Sequence, residues 1–155
     1  MPNASCFTLK STGRLYRLPS DALILSSARE PNTSYTPKMW SAIWDTGATK
    51  SCITQRVVDD LHLISVGQTE MGTASGTTTV NTYYVDIGLP NRIIIPNILV
   101  SCANLGRDLD VLIGMDIISL GDFAITNVGG KTTFSFRFPS VSEIDFVKDS
   151  KNLTI

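Results

Sequence analysis

The residue best suited to chemistry in this sequence is an aspartate that enters a tight turn directly from an apolar segment. Asp45 follows Ala42-Ile43-Trp44 and precedes Thr46 and Gly47. Such a turn holds a carboxylate at the end of a strand, close to backbone amides, because Gly47 lacks the Cβ that would obstruct a close backbone approach. The hydroxyl of Thr46 can both donate and accept a hydrogen bond. Taken alone, however, Asp-Thr-Gly is more typical of an ordinary Asp-initiated turn.

A second apolar strand ends in glycine further along the chain. Val111-Leu112-Ile113 leads into Gly114 and then into a short helical pattern. Between the two segments, Met71 to Thr77 places Gly72 and Gly76 around small polar residues, a pattern typical of a hairpin tip. Each segment is weak evidence by itself, since many strands end in glycine and most such hairpins are ordinary surface features.

Together, the three segments resemble the landmarks of the retropepsin-like (retroviral-type) aspartic protease family, and Gly114-Met115-Asp116 is more similar to its bacterial and cellular branches than to the viral ones. The resemblance implies a mostly-β fold, a closed β-barrel with a flap hairpin and one or two short helices. It implies that Asp45 is catalytic and that Thr46 and Gly47 support the catalytic loop. The residues that it implies for substrate binding are Gly47, Ala48, Gly72, Thr73, Ala74, Ser75 and Gly76.

One aspartate alone cannot perform the hydrolysis that the resemblance implies. A lone carboxylate has a pKa near ~4 and cannot act as base and acid at the same pH, so two carboxylates must share a proton. The sequence contains one Asp-Thr-Gly, and the second carboxylate is therefore expected from Asp45 of another copy, in a homodimer that acts on a peptide or protein substrate. No metal and no other cofactor is expected. The alternative is a catalytically silent module of the same fold, kept for dimerisation or peptide binding.

Two positions depart from the viral pattern. Retroviral members commonly carry Asp two residues after the glycine of the triplet and Arg just after the glycine of the second segment, where they build an ion network between subunits. Here these positions hold Thr49 and Met115, with Asp116 next. The dimer contacts are therefore expected to differ from the viral ones.

Short β-branched and aromatic runs between Gly, Pro and Asn predict the strands that must position these residues. The predicted strands are Leu15 to Leu18, Ala22 to Leu25, Met39 to Trp44, Thr77 to Ile87, Ile93 to Val100, Val111 to Ile113, Phe123 to Thr126 and Thr132 to Phe138. One helix is predicted from Gln55 to Leu61, with Thr54 as its cap, and a helical turn from Asp116 to Leu120.

The same patterns predict which faces are buried. Ile43, Leu112 and Ile113 are expected to be buried beneath the site, because each belongs to an apolar strand that precedes a landmark. Tyr84 and Asp86 alternate with apolar neighbours and predict one solvent-exposed side. Three alternating aromatics of the last strand indicate core or dimer packing, namely Phe134, Phe136 and Phe138.

Length and composition fit one domain over residues 1–155, with a core at about 22–138 and a C-terminal extension at 139–155. Hydrophobic residues make up 43% of the chain, charged residues 17%, and the formal net charge is -1. Without a dense basic patch, nucleic acid is a poor partner candidate. No apolar run reaches the ~20 residues of a membrane span, and the first residues do not resemble a signal peptide. Three cysteines without a zinc spacing are typical of a reducing compartment, so a cytoplasmic protein without membrane partners is expected.

Two other groups of residues could indicate a functional site, but neither predicts one. His62 is the only histidine. A His-based metal site is therefore excluded, and a Ser or Cys nucleophile would have one possible imidazole partner, at the end of a predicted helix and without a nucleophile motif. Gly129-Gly130 followed by Lys131 and Thr132 resembles the end of a phosphate-binding loop, but strand-like sequence on both sides predicts a hairpin turn instead.

Overall fold

The computed structural model describes residues 4–27, 37–73 and 76–150, and it is mostly β. The strands of this part of the chain are β1 (Ser5–Lys10), β2 (Leu18–Ser26), β3 (Lys38–Trp44), β4 (Cys52–Ile53), β5 (Gly67–Thr73), β6 (Gly76–Leu89), β7 (Ile93–Cys102), β8 (Val111–Ile113), β9 (Asp122–Thr126) and β10 (Thr133–Phe138). The helices are α1 (Gln55–Asp60), α2 (Met115–Ile118) and α3 (Phe146–Ser150).

The larger sheet closes on itself. Its strands follow the order β2-β3-β8-β4-β7-β6-β5, and β6 pairs a second time, with β2. Six strands therefore form a closed ring, to which β5 adds only through β6. The ring is filled by β-branched and aliphatic side chains, among them Ile24, Val85 and Ile113, none of which is exposed. The predicted mostly-β closed barrel with short helices is confirmed.

A smaller sheet of order β1-β10-β9 carries the phenylalanines of the core. Phe134 and Phe136 on β10 are buried, and both pack against Trp44 at the end of β3. The indole Nε1 of Trp44 donates a hydrogen bond to Ser20 Oγ at 3.0 Å. The predicted apolar face of β10 is confirmed for both phenylalanines, and it anchors the residue that immediately precedes Asp45.

Most predicted strands are present, but some elements before residue 54 differ from the prediction. The strand predicted from Leu15 to Leu18 is wrong: residues 15–17 lie outside any strand, and the Leu15 amide donates to the hydroxyl of Thr132 instead. β1 was not predicted, because Phe7 is its one fully buried residue and its alternation is weak. β4 was missed because two residues carry no periodicity.

α1 and α2 follow the sequence prediction closely, whereas α3 was not predicted. α1 begins at Gln55 as predicted, but Thr54 makes no capping hydrogen bond with its side chain, which instead lies 3.5 Å from a carboxylate oxygen of Asp110. α2 begins at Met115, one residue earlier than predicted, and ends at Ile118. Residues 128–130 form the predicted turn between β9 and β10. Among the described residues, no helix is long and apolar enough to cross a membrane.

Candidate active site

Asp45 lies where two parallel strands end side by side. β3 and β8 pair in parallel, with Trp44 opposite Ile113, and the Asp45 amide donates to the Ile113 carbonyl oxygen at 2.9 Å. Parallel strands end at the same edge of a sheet, so this pairing brings the Asp-Thr-Gly turn next to Gly114. The half-buried Asp45 and the second landmark, 69 positions apart in the sequence, are therefore neighbours in space.

The turn itself fixes one oxygen of the Asp45 carboxylate. The Gly47 amide donates to Asp45 Oδ1 at 2.8 Å, and the Ala48 amide donates to the Asp45 carbonyl oxygen at 3.2 Å. A Cβ on residue 47 would lie 3.1 Å from Asp45 Oδ1, which explains the glycine. Asp45 Oδ2 and the exposed Thr46 hydroxyl have no hydrogen-bond partner within the described part of the chain. Both groups remain free to bind a substrate, a water or another subunit.

Gly114 locks the second landmark against the turn. A Cβ at this position would lie 2.7 Å from the Lys50 carbonyl carbon and 2.9 Å from the Ala48 carbonyl oxygen. The close approach lets the Met115 amide donate to the Ala48 carbonyl oxygen at 2.8 Å, and the Asp116 amide to that of Thr49 at 3.2 Å. The start of α2 is thereby tied to the loop that follows Asp45.

Ser51 and Asp116 complete this lock with their side chains. The fully buried Ser51 donates through its hydroxyl to Asp116 Oδ1 at 2.7 Å, and its amide donates to both carboxylate oxygens at 3.0 Å. The same hydroxyl accepts a hydrogen bond from the Gly114 amide at 3.0 Å. Sequence reasoning did not identify this pair, because nothing in the local pattern shows that positions 51 and 116 meet. The pair joins the loop after Asp45 to α2 within one chain.

Asp110, the other carboxylate beside the second landmark, is bound elsewhere. It is buried, and Arg56 on α1 donates to both of its oxygens, at 2.9 Å and 2.5 Å. This hydrogen bond to Asp110 raises the pKa of Arg56. Ser41 also donates to Asp110, at 3.1 Å. Asp110 therefore joins α1, β3 and β8, and neither it nor Asp116 has a carboxylate free to act with Asp45.

A hairpin faces the Asp45 loop across a cleft of about 580 Å³. β5 and β6 pair from Gly67↔Thr82 to Thr73↔Gly76, and Gly76 has a φ of 128°, a conformation that side chains with a Cβ rarely adopt. Of the residues expected to bind substrate, Gly47, Ala48 and Gly72 line the cleft. Ala74, Ser75 and the side chain of Thr73 lie outside the described residues, and Gly76 is in the hairpin but not in the cleft lining.

Several cleft residues were not predicted from the sequence. They come from the loop after Ala48, from β5 and from the chain after β7, and they are Thr49, Lys50, Cys52, Thr69, Glu70, Met71, Ser101, Ala103, Asn104, Leu105 and Leu112. Leu112 and Ile43 were expected to be buried, but both are half-buried, and only Ile113 is buried as predicted. The reason is the strand alternation: Ala42, Trp44 and Ile113 face the core, so that Ile43 and Leu112 face away from it.

Within the part of the chain that the structure describes, the other reactive groups near this cleft form neither a nucleophile pair nor a metal site. Burial raises the pKa of the Cys52 thiol to about 11, with the Asp116 carboxylate as a smaller cause, so this cleft residue stays protonated at neutral pH. His62 follows α1, and its amide bonds to Asp59. Within the described residues, no hydrogen bond joins its side chain to a Ser or Cys, and no three His, Cys, Asp or Glu side chains are grouped to hold a metal.

Comparisons with known proteins agree with this geometry. The family described as "gag-polyprotein putative aspartyl protease" matches residues 38–119, more than half of the chain. The structure is similar to that of a retropepsin-like aspartic protease from Rickettsia conorii, with a TM-score of 0.55 and 11% identity over 89% of this chain and 98% of the other. At this identity the likeness shows a shared fold. The comparison with curated proteins gave no match.

Two further similar structures, one viral and one cellular, have TM-scores below 0.5. The simian foamy virus (mac) protease gives a TM-score of 0.44 and 20% identity over 65% of this chain and 91% of its own. The retroviral protease-like domain of Ddi1 from Leishmania major gives a TM-score of 0.44 and 16% identity over 72% of this chain and 82% of its own. The residues that match the family model include the Asp45 turn, the hairpin and Gly114. The chain belongs to the gag-polyprotein aspartyl protease family and has the retropepsin-like fold.

Proposed function

We propose that this chain is an aspartic endopeptidase that works as a homodimer and hydrolyses peptide bonds with a water activated between two Asp45 carboxylates. The observation that carries the proposal is the state of the carboxylates around the site. Asp45 has one oxygen fixed by Gly47 and the other unengaged, whereas Asp110 and Asp116 are bound by Arg56 and Ser51. The carboxylates beside the second landmark are therefore engaged, and in this proposal the partner of Asp45 is Asp45 of another copy.

In the proposed dimer, the two Asp45 carboxylates share one proton, because two carboxylates in close contact do not both ionise readily. The ionised member takes a proton from the attacking water. The protonated member donates its proton to the oxygen of the scissile carbonyl. When the tetrahedral intermediate collapses, the proton taken from water passes to the leaving nitrogen, and a hydroxyl of the intermediate returns a proton to the other carboxylate. Preorganisation by Gly47 and Gly114 lowers the barrier, since the carboxylates need not reorient during the reaction.

The remaining site residues have supporting roles in this proposal. The free Thr46 hydroxyl bonds to the other subunit's loop and holds the two turns together. Gly47 and Ala48 contact the peptide from below, while Gly72 and the hairpin tip at residues 73–76 cover it and exclude water. Lys50 and Glu70, both exposed, lie among the cleft residues and contribute to side-chain selection.

A peptide-library digest tests the proposal. Wild type and Asp45→Asn are incubated with a diverse library at several values between about pH 4 and 7, and products are identified by mass spectrometry. Wild type is expected to cleave internal bonds with a bell-shaped pH profile, and Asp45→Asn, which keeps the side-chain size, is expected to cleave none. Cleavage by a clean Asp45→Asn preparation would contradict the role of Asp45. Binding without cleavage by wild type would favour the catalytically silent module.

A further inference from the structure

A second cavity adjoins the candidate active site, and two arginines line it. This arginine cavity encloses about 520 Å³, and Arg14, Arg17 and Ile43 are among its lining residues. We propose that the arginine cavity is a substrate subsite and that Arg14 and Arg17 select an acidic side chain of the bound peptide. This inference rests on the proposed function and specifies the class of peptide that the enzyme cleaves.

The arginine cavity and the cleft share one floor. Five register partners on adjacent strands form a continuous row across the larger sheet, and they are Pro19 on β2, Ile43 on β3, Leu112 on β8, Cys52 on β4 and Ser101 on β7. The first two line the arginine cavity, and the other three line the cleft. Four strand spacings of about 4.8 Å make this row roughly 19 Å long, which is enough for about six residues of an extended peptide.

Asp45 lies directly beside this floor. Ala42 and Trp44 face the core, so Ile43 and Asp45 lie on the opposite side of the strand, about 7 Å apart along it. The Asp45 amide continues the pairing of β3 with β8. A peptide that presents one bond to Asp45 therefore extends from the cleft on one side into the arginine cavity on the other.

The arginine cavity combines apolar surface with unpaired positive charge. Ile43 is half-buried, whereas Arg14 and Arg17 are exposed. Among the described residues, neither of these arginines forms an ion pair, whereas Arg56 and Arg137 are each bound to an aspartate. A guanidinium without a partner can bind a carboxylate through two hydrogen bonds in one plane. The side chain that fits this cavity is an aspartate or a glutamate, whose methylene groups cover the apolar surface.

The loop that carries the arginines is held in place by the buried Thr132. The Ser11 amide donates to the Thr132 carbonyl oxygen at 2.9 Å, and the Thr132 amide donates to the Gly13 carbonyl oxygen at 3.0 Å. The Leu15 amide donates to the Thr132 hydroxyl at 2.9 Å. Arg14 lies between the last two contacts, so its backbone is fixed before a ligand binds. A preformed site of this kind loses less conformational freedom on binding.

The neighbouring cavities do not have the same charge. The cleft is lined by one basic and one acidic residue with ionised side chains, Lys50 and Glu70, so it favours neither sign. Next to the arginine cavity, beyond Leu109, a further cavity is lined by Asp21 and Asp108, and within the described part of the chain neither pairs with an arginine of the loop. A substrate carboxylate is therefore attracted to the arginine cavity and repelled from the next one, which favours an acidic residue at one position of the peptide.

Cleavage of a diverse peptide library tests the subsite, with the products aligned on the cleaved bond. Wild type is expected to enrich Asp and Glu at one position on each side of that bond, because two-fold symmetry supplies two arginine cavities. A peptide with glutamate at this position should be cleaved roughly tenfold more efficiently than the same peptide with glutamine, because a charge-assisted hydrogen bond is lost.

The variant that tests the arginines combines Arg14→Gln with Arg17→Gln, which removes both charges but keeps polar side chains. The ratio of cleavage efficiencies for the glutamate and glutamine peptides should fall to near one. Lys131→Gln is the matched control, since it removes an exposed charge just before β10 and should leave the ratio at its wild-type value. Circular dichroism checks that the variants fold.

Binding is measured separately, so that it does not depend on cleavage. Asp45→Asn is incubated with the same library, and the peptides that it retains are expected to be enriched in Asp and Glu relative to the input. Adding Arg14→Gln and Arg17→Gln should remove this enrichment.

The outcomes separate the subsite from the proposed function. Cleavage by wild type without an acidic preference, or with a preference that survives both glutamine substitutions, rejects the subsite and keeps the endopeptidase. Retention of acidic peptides by Asp45→Asn without any cleavage by wild type keeps the arginine cavity as a binding site and rejects the endopeptidase. The absence of acidic enrichment from both experiments overturns the inference.

Discussion

The loop from Asp45 to Ser51 and the β5–β6 hairpin face each other across the cleft, but different contacts hold them. The loop is fixed from outside itself, through Gly114, Asp116 and the end of β8. The hairpin is held mainly by its own ladder, because β5 is the last strand of its sheet and pairs only with β6. Its residues 67–70 and 76–79 are exposed.

This difference predicts that the loop on one side of the cleft is rigid and that the hairpin on the other side can open. Segments with few buried contacts and solvent-exposed hydrogen bonds open locally at low cost, whereas a loop with buried, satisfied polar groups opens only when the fold does. We infer that the loop keeps Asp45 in one geometry while the hairpin opens to admit the peptide. Substitutions in the two walls should therefore affect stability and activity in different proportions.

The largest effect on stability is expected from Ser51→Ala. The change leaves the Asp116 carboxylate and the Gly114 amide without the Ser51 hydroxyl in a buried site, at a cost of about 2 to 3 kcal/mol. The loop should also shift, with activity falling by about 10²-fold. Ser101→Ala is the matched control, because Ser101 is also buried in the cleft lining but its hydroxyl makes no hydrogen bond to another described residue. This change should lower the free energy of unfolding by less than about 1 kcal/mol. Thermal unfolding and peptide cleavage measure both, and equal losses for the two variants would contradict the lock.

A smaller effect on stability is expected in the hairpin, from Gly76→Ala. The φ of 128° strains any residue with a Cβ by about 1 to 3 kcal/mol, but the strain falls on a ribbon that opens locally. Cleavage efficiency should fall by roughly tenfold while the melting temperature changes less than in Ser51→Ala. Gly72→Ala is the control for stability, because Gly72 also has open space for a Cβ but does not have the positive φ of Gly76. A melting temperature that drops as far as that of Ser51→Ala would show that the hairpin belongs to the rigid part of the fold.

The last prediction changes no residue and uses the reactivity of the Cys52 thiol to report whether the loop from Asp45 to Ser51 opens. Because the pKa of its thiol is raised to about 11, the thiolate is scarce at neutral pH and becomes more abundant as the pH rises. Alkylation of Cys52 should therefore be slow and should increase about tenfold per pH unit up to that value, with the exposed Cys6 as the reference thiol that reacts first. Peptide mapping after timed alkylation measures both sites. Rapid labelling of Cys52 at neutral pH would mean that the loop opens.

The sequence predicted the fold and the two landmarks because their signals are local. Apolar strands that run into Asp45 and Gly114 can be recognised one residue after another, and the hairpin glycines follow the same logic. Ser51 and Asp116 could not be found this way, since their function depends on a contact between positions 65 residues apart. Ile43 and Leu112 were misassigned because a fully apolar strand does not reveal which face is buried. β1 was missed because Phe7 is its one buried residue, so that its sequence pattern does not show the pairing with β10.

In the proposed dimer each site contains Asp45 from two copies, and a subunit-mixing experiment can detect this shared site. A fixed amount of wild type is equilibrated with a ninefold excess of Asp45→Asn at saturating substrate, so that most wild-type subunits enter mixed dimers with one Asp45. Under random pairing, cleavage should fall about tenfold. Cleavage that stays at the level of wild type alone, with a folded Asp45→Asn protein in the mixture, would contradict a shared site.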